Sequence, residues 1–190
     1  MRIIGGKNKG RKLKSFDGTD IRPTSDRAKE SLFNILNSSV LDCDFLDLCA
    51  GTGAIGIESY SRGAKSVTFV DNSKESLNLA KFNGNLVGLS ETFVLSKAVD
   101  FLKTTSQTFD IIFYDPPYKD INVNEVLKII KERKILNENG LFIYEKKSDT
   151  KTFEVQGFEI IDSRKYGIAV FDFYKESLWE ALYLQERLTR

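Results

Sequence analysis

The chain has 190 residues, with 28 lysines and arginines against 27 aspartates and glutamates, a net charge of +1 and no histidine. Without imidazole, Ser-His-Asp and Cys-His catalysis, histidine general bases and His-rich metal sites are excluded. The 41% hydrophobic and 29% charged residues, two cysteines and absence of any apolar run near the ~20 residues of a membrane span predict one soluble domain in a reducing cytosol. The opening MRIIGGKNKGRKLK lacks the apolar core of a secretory signal.

Residues 2–16 read as a short hairpin, with Ile3, Ile4, Leu13 and Phe16 flanking a middle rich in Gly, Lys and Asn. It carries Lys7, Lys9, Arg11, Lys12 and Lys14 before any acid, so it is either a solvated basic face or an element that contacts phosphates. A turn at 16–20 leads through IRPTSD to a helix capped by Thr24, Ser25 or Asp26, with Ala28, Leu32, Phe33, Ile35 and Leu36 as its buried stripe.

From residue 45 strands and helices alternate. Strands are predicted at 45–49, 66–71, 92–96, 109–115 and 140–145. Helices are predicted after the turn at 51 as far as Gly63, and at 73–88, 98–105 and 123–134. Short apolar strands in β-α-β-α order make a mainly parallel sheet covered on both faces. Residues 158–175 leave no room for a helix and form an antiparallel hairpin turning at Tyr166 and Gly167, on the sheet edge. The last segment, 176–190, has the pattern of an amphipathic helix, packed on its own domain or against a second copy. The expected division is thus a basic arm (1–20), an α/β domain (21–175) and a helical extension (176–190).

Two motifs carry chemistry. DLCAGTGAIG (47–56) places Gly51, Gly53 and Gly56 between a strand and a helix, where backbone N–H groups can approach a nucleotide-type ligand. Asp47 lies in that strand. A carboxylate there would repel the pyrophosphate of a dinucleotide but attract the cationic amino-acid part of S-adenosylmethionine. Asp71, ending the next strand, suits a ribose diol with either ligand. The second motif is Asp115-Pro116-Pro117-Tyr118, ending the apolar strand FDIIFY. Prolines terminate strands for purely structural reasons. At a sheet's ligand edge, however, the Asp115 carboxylate and the Pro116 carbonyl could hold the two N–H groups of an exocyclic amine. Pro116 and Pro117 would fix the backbone, and Tyr118 would stack on the base, a contact worth ~1–3 kcal/mol.

RIIGGKNKGRKL (2–13), RPTSDRAKESLFNIL (22–36), DLCAGTGAIGIESYSRGA (47–64), FYDPPY (113–118) and YGIAVFDFY (166–174) resemble, in order and spacing, the RsmD family of 16S rRNA guanine-N2 methyltransferases. The resemblance implies a Rossmann-like class I methyltransferase fold, with a seven-stranded sheet, an N-terminal hairpin and a helix. It also implies S-adenosylmethionine as cofactor and 16S rRNA or the small ribosomal subunit as partner. Asp115, Pro116, Pro117 and Tyr118 would form the amine site. Asp47, Ala50, Gly51 and Gly53 would line the methionine part of the cofactor, and Asp71 would take the ribose. Arg22 and Thr24 would belong to a segment closing over the cofactor, and Lys7 to Lys14 would grip RNA phosphates. After the third strand the family class often has an acid or amide followed by a small residue. Here the pair is Lys97-Ala98, leaving the Ala98 N–H to meet the adenine, with Asp100 as a substitute side chain. A monomer without metal or membrane attachment is expected. The competing expectations are an adenine-N6 methyltransferase, which would share the Asp-Pro-Pro-Tyr motif, and an adaptor that binds cofactor or RNA without turnover.

Overall fold

A computed structural model describes residues 1–16, 25–89, 92–117 and 122–177. Helix α1 (Asp26–Leu36) is followed by a 3-10 turn (Asn37–Val40). The order then runs β1 (Asp44–Leu48), α2 (Ala54–Ser61), β2 (Ser66–Asp71), α3 (Lys74–Asn85), β3 (Thr92–Leu95), α4 (Ala98–Thr104), β4 (Phe109–Tyr114), α5 (Val123–Arg133), β5 (Leu136–Lys147), β6 (Phe158–Tyr166) and β7 (Ala169–Glu176). Seven strands form one sheet in the order β3-β2-β1-β4-β5-β7-β6. The first five are parallel, and β7 is antiparallel to both β5 and β6. This is the expected Rossmann-like arrangement with its antiparallel C-terminal hairpin.

Alternate residues of each strand serve opposite faces. Phe45, Val67, Phe69, Ile111, Phe113 and Ile143 pack with α1, α2 and α3. Leu46, Leu48, Val70, Ile112, Tyr114, Phe142 and Tyr144 pack with α4 and α5. Both faces are dry, which is why the parallel strands are almost continuously apolar. Helix starts follow the cap chemistry: the Ser25 hydroxyl accepts from the Ala28 N–H, and that of Ser73 from the Ser76 N–H.

Several boundaries differ from expectation, among them α3, which ends at Asn85 rather than at residue 88, and β4, which ends at Tyr114 rather than at 115. β1 stops at Leu48 because Cys49 has φ +78, so the turn begins one residue early. β5 begins at Leu136, four residues before the predicted start. Its polar stretch Asn137-Glu138-Asn139 is absorbed as an irregularity opposite β4, with Asn139 at φ +63. β7 continues through Glu176, where the terminal helix is expected to begin, and the rest of that expected helix, 178–190, lies outside the described residues.

The basic N-terminal segment folds back on itself as a strap bound across the helices. Arg2 pairs with Lys12 in a single antiparallel bridge, and the Ile3 N–H donates to the Arg11 carbonyl (3.0 Å). Ile3 and Leu13 enter the core. Gly6 (φ +74) passes so close to α2 that an added Cβ would lie 1.8 Å from the Ser61 carbonyl oxygen. The glycines of "IIGG" therefore serve close packing as well as turning.

Glu58, fully buried on α2, organises this contact. Its carboxylate accepts from the Ile4 and Gly5 N–H groups (2.8 and 2.7 Å) and from Arg62 Nε (2.8 Å), and pairs with buried Lys29 of α1 (3.3 Å). Lys29 also donates to the Arg2 carbonyl. Burial pushes the Lys29 pKa below its ordinary value, against the pull of Glu58. Removing one partner of such a pair strands the other charge in the interior, at about 3–5 kcal/mol. Glu58→Ala is therefore expected to lower the unfolding free energy by about that amount in urea titration. The double variant Lys29→Met/Glu58→Gln should recover part of the loss, since the glutamine oxygen still accepts from one of the two strap amides and the buried Lys29–Glu58 charges are both removed.

Candidate active site

The glycine turn and the Asp-Pro-Pro segment meet at the carboxyl edge of the sheet. Leu48, the last residue of β1, pairs with Tyr114, the last residue of β4. Gly51 and Asp115 therefore leave adjacent strands at the same end, at the position where open α/β sheets bind ligands.

The turn is tied down from both sides. The Cys49 and Ala50 N–H groups both reach the Val70 carbonyl (2.9 Å each), and the Gly53 N–H reaches the Ala50 carbonyl (2.8 Å). Asp71 at the end of β2 accepts from the Gly51 N–H and the Ser73 N–H (2.8 Å each). Gly51 has φ +54, and an added Cβ there would meet nothing within 4 Å. It is the open floor of the turn, with room for a ligand against the backbone. Gly56 is the opposite case: a Cβ would lie 2.4 Å from the Phe69 ring, so glycine lets α2 pack on β2.

Asp47 is buried, and one of its carboxylate oxygens accepts from the Gly56 N–H (2.9 Å) in the first turn of α2. Sequence reasoning gave it only an electrostatic part; it also anchors the glycine turn to β1. Its pKa is pushed up to about 7, first by burial, then by the negative charges of Asp71 and Glu145, with the Gly56 hydrogen bond opposing. Asp115 is half-buried, Pro116 buried and Pro117 exposed. The Asp115 pKa is held well above the usual carboxylate range, by desolvation first and then by Glu145 and Asp47.

Glu145 is a member of this group that sequence reasoning missed. Tyr114 pairs with Tyr144, so Glu145 follows in the row of Asp115. The available signal was that "GLFIYE", like "SVTFVD" and "FDIIFYD", is an apolar strand ending on an acid. Asn83 was also missed. Fully buried on α3, its side chain donates to the Thr52 carbonyl (2.9 Å) and exchanges two hydrogen bonds with the Lys14 backbone (2.8 and 3.0 Å). One amide thus joins the strap to the glycine turn.

The remaining predicted residues are spread more widely. Ala98 is half-buried at the start of α4, after Lys97, which makes no side-chain cap. Lys97 and Asp100 are exposed. The Ser96 N–H donates to the Asp71 carbonyl (3.0 Å), which brings this segment beside β2. In the strap, Lys7 Nζ lies 3.6 Å from the Tyr60 ring centroid, Lys14 Nζ lies 5.9 Å from that of Phe82, and Arg11 donates to the Leu86 carbonyl (2.7 Å). Lys9 and Lys12 are exposed. Arg22, Thr24 and Tyr118 lie outside the described residues.

A family model described as Conserved hypothetical protein 95 matches residues 1–175. The chain belongs to this family, the RsmD family. Among its relatives, the ribosomal RNA small subunit methyltransferase D of Haemophilus influenzae is 32% identical over 180 residues, covering 92% of this chain and 93% of the relative. The Escherichia coli protein of the same description is 35% identical over 146 residues, covering 76% and 74%. The solved structure of Escherichia coli yhhF matches with TM-score 0.83 at 30% identity over 93% of this chain and 98% of that one. The family match over residues 1–175 spans strap, glycine turn and Asp-Pro-Pro segment alike, so this RsmD-family chain carries both motifs in one fold.

The Asp47 shift has a signed consequence. Its folded value of about 7 lies above the unfolded value near 3.9, so the folded protein holds the extra proton between them. The associated stabilisation is complete below about pH 4 and is lost as pH rises through about 7. The ligand-free protein is expected to lose unfolding free energy between pH 5 and pH 8 in urea titration. Asp47→Asn should flatten that dependence.

Proposed function

We propose that this RsmD-family protein transfers a methyl group from S-adenosylmethionine to the exocyclic N2 of a guanine in the 16S rRNA of the small ribosomal subunit. The observation that carries the reading is the pairing of Leu48 with Tyr114, which brings a glycine turn and an Asp-Pro-Pro tip to one crevice. The names of the relatives, small subunit rRNA methyltransferases, support the substrate class. Two cysteines outside any disulfide suit a reducing cytosol.

The residues at the glycine turn fit the cofactor. Asp47 and Asp71 supply negative charge for an amino group and acceptors for ribose hydroxyls. The open face of Gly51 admits the ligand to the backbone, and Ala98 can offer its N–H to the adenine edge. Arg22 and Thr24 would close over this site. S-adenosylmethionine supplies an electrophilic methyl group together with positive charge. That charge favours the ionised forms of Asp47 and Asp115, whose protonation is raised by burial and mutual repulsion.

A guanine N2 amine is a weak nucleophile because its lone pair is delocalised into the ring. The Asp115 carboxylate and the Pro116 carbonyl, each accepting one N–H, hold the nitrogen pyramidal with its lone pair toward the methyl group. Pro116 and Pro117 keep these acceptors in place, and Tyr118 stacks on the base. Alignment of the reactants supplies on the order of 7–11 kcal/mol of the barrier. The methylated nitrogen is acidic and sheds its proton readily, which suits a chain without histidine. Lys7, Lys9, Arg11, Lys12 and Lys14 face RNA phosphates from a strap whose backbone is already pinned, so little ordering entropy remains to oppose binding.

Asp115→Ala is expected to reduce methylation of small ribosomal subunits about 10³-fold or more while S-adenosylmethionine affinity by calorimetry changes less than about threefold. Mass spectrometry of nucleosides from the product should find N2-methylguanosine. N6-methyladenosine instead would transfer the reading to adenine, and full activity of Asp115→Ala would refute the acceptor role. A second variant tests the cofactor cradle. Gly51→Ala, whose positive φ costs about 1–2 kcal/mol with a side chain, should fold but lose affinity for S-adenosylmethionine.

A further inference from the structure

Three carboxylates share one face of the sheet at its ligand edge. Asp47 on β1 is opposite Phe113 on β4, and Phe113 is opposite Ile143 on β5. Two residues beyond Phe113 and Ile143 stand Asp115, the first residue after β4, and Glu145 in β5, in line with that face by alternation. Glu145 lies on the strand next to Asp115, at a spacing of about 4.8 Å, and its charge is the leading electrostatic cause of the raised Asp115 protonation. Glu145 is buried. Its strand neighbour Lys146 faces the other way and pairs with Asp172 on β7.

An acidic pair at this point has a specific complement. The edge of guanine that carries the N2 amine also carries the N1–H, so two adjacent donors face outward. The corresponding edge of adenine carries the N6 amine beside N1, which is an acceptor. Two neighbouring acceptors therefore match guanine and oppose adenine, where the second carboxylate would face a lone pair and lose its hydrogen bond.

We propose that Glu145 is a specificity-determining residue that accepts the N1–H of the target guanine while Asp115 holds the N2 amine. This rests on the guanine-N2 reading above. Asp47 stays with the cofactor, and the paired strands set Glu145 within β5 beside Asp115, the first residue after β4. The pair explains how a motif shared with adenine methylation can serve guanine: the tip of β4 presents the amine for transfer, and the tip of β5 checks what stands beside it.

The test uses 2-aminopurine, which keeps the 2-amine but has an acceptor at N1. After nucleoside mapping has located the methylated position, ligated 16S rRNA is prepared with guanine or 2-aminopurine there. The wild-type protein is expected to prefer guanine by about 10- to 100-fold in kcat/KM. Glu145→Gln, whose amide can donate to an N1 acceptor, should bring that ratio close to one or reverse it, with S-adenosylmethionine affinity within about twofold of wild type. A purely structural Glu145 would slow both substrates equally and leave the ratio unchanged, which overturns the proposal. Equal turnover of the two RNAs by the wild-type protein overturns it without any variant. A mapped product other than N2-methylguanosine overturns the functional reading itself, and this inference with it. N2-methylguanosine with an unchanged ratio overturns this inference alone.

Discussion

The arrangement of this protein depends on the parallel register of three central strands. β1, β4 and β5 run the same way, with Leu48, Tyr114 and Tyr144 in one row, so their carboxyl ends open into a common crevice. Because side chains alternate, the residues that come to the α2 side at that edge are Asp47, Asp115 and Glu145, while Leu48, Tyr114 and Tyr144 fill the opposite core. A slip of one residue in any of the three strands would send a carboxylate into the apolar layer of α4 and α5. The apolar packing that holds the register therefore also sets the electrostatics of the site.

That electrostatics is costly without a ligand. Asp47 and Asp115 are both driven toward their protonated forms by desolvation and by neighbouring negative charge. Carboxylates whose protonation is raised by desolvation and neighbouring charge cluster at functional sites. On the proposed reading, the β1 side would take a positively charged ligand and the β4 and β5 side hydrogen-bond donors. The sheet supplies the rigidity that keeps like charges in place.

The basic N-terminal segment is bound into this framework through two buried polar side chains. Glu58 gathers the strap amides together with Lys29 and Arg62. Asn83 spans from the Lys14 backbone to the Thr52 carbonyl of the glycine turn. The strap's cationic side chains are thus displayed from a backbone held by several hydrogen bonds to α2 and α3, and the same amide touches the turn that would bear the cofactor. The basic strap and the glycine turn are thus joined by one residue, Asn83.

Much of this was legible in the chain itself. Apolar periodicity, cap residues at Ser25 and Ser73, and the Gly-x-Gly-x-x-Gly and Asp-Pro-Pro patterns are local properties, and they were sufficient for the element order, the parallel sheet, the final hairpin and the family. What depended on distant partners was not legible. The early end of β1 rests on a positive φ at Cys49, and the early start of β5 on the pairing of Leu136 with Phe109, far back in the chain. Glu58 and Asn83 look like ordinary helix-surface residues until the strap is seen lying over them. Glu145 looks like any strand-end acid until strand order makes β5 the neighbour of β4. Composition and spacing determined which groups the protein owns and which element carries each. Only the tertiary structure decided which of them share a face and lose their water, because burial and register arise from contacts between segments tens of residues apart.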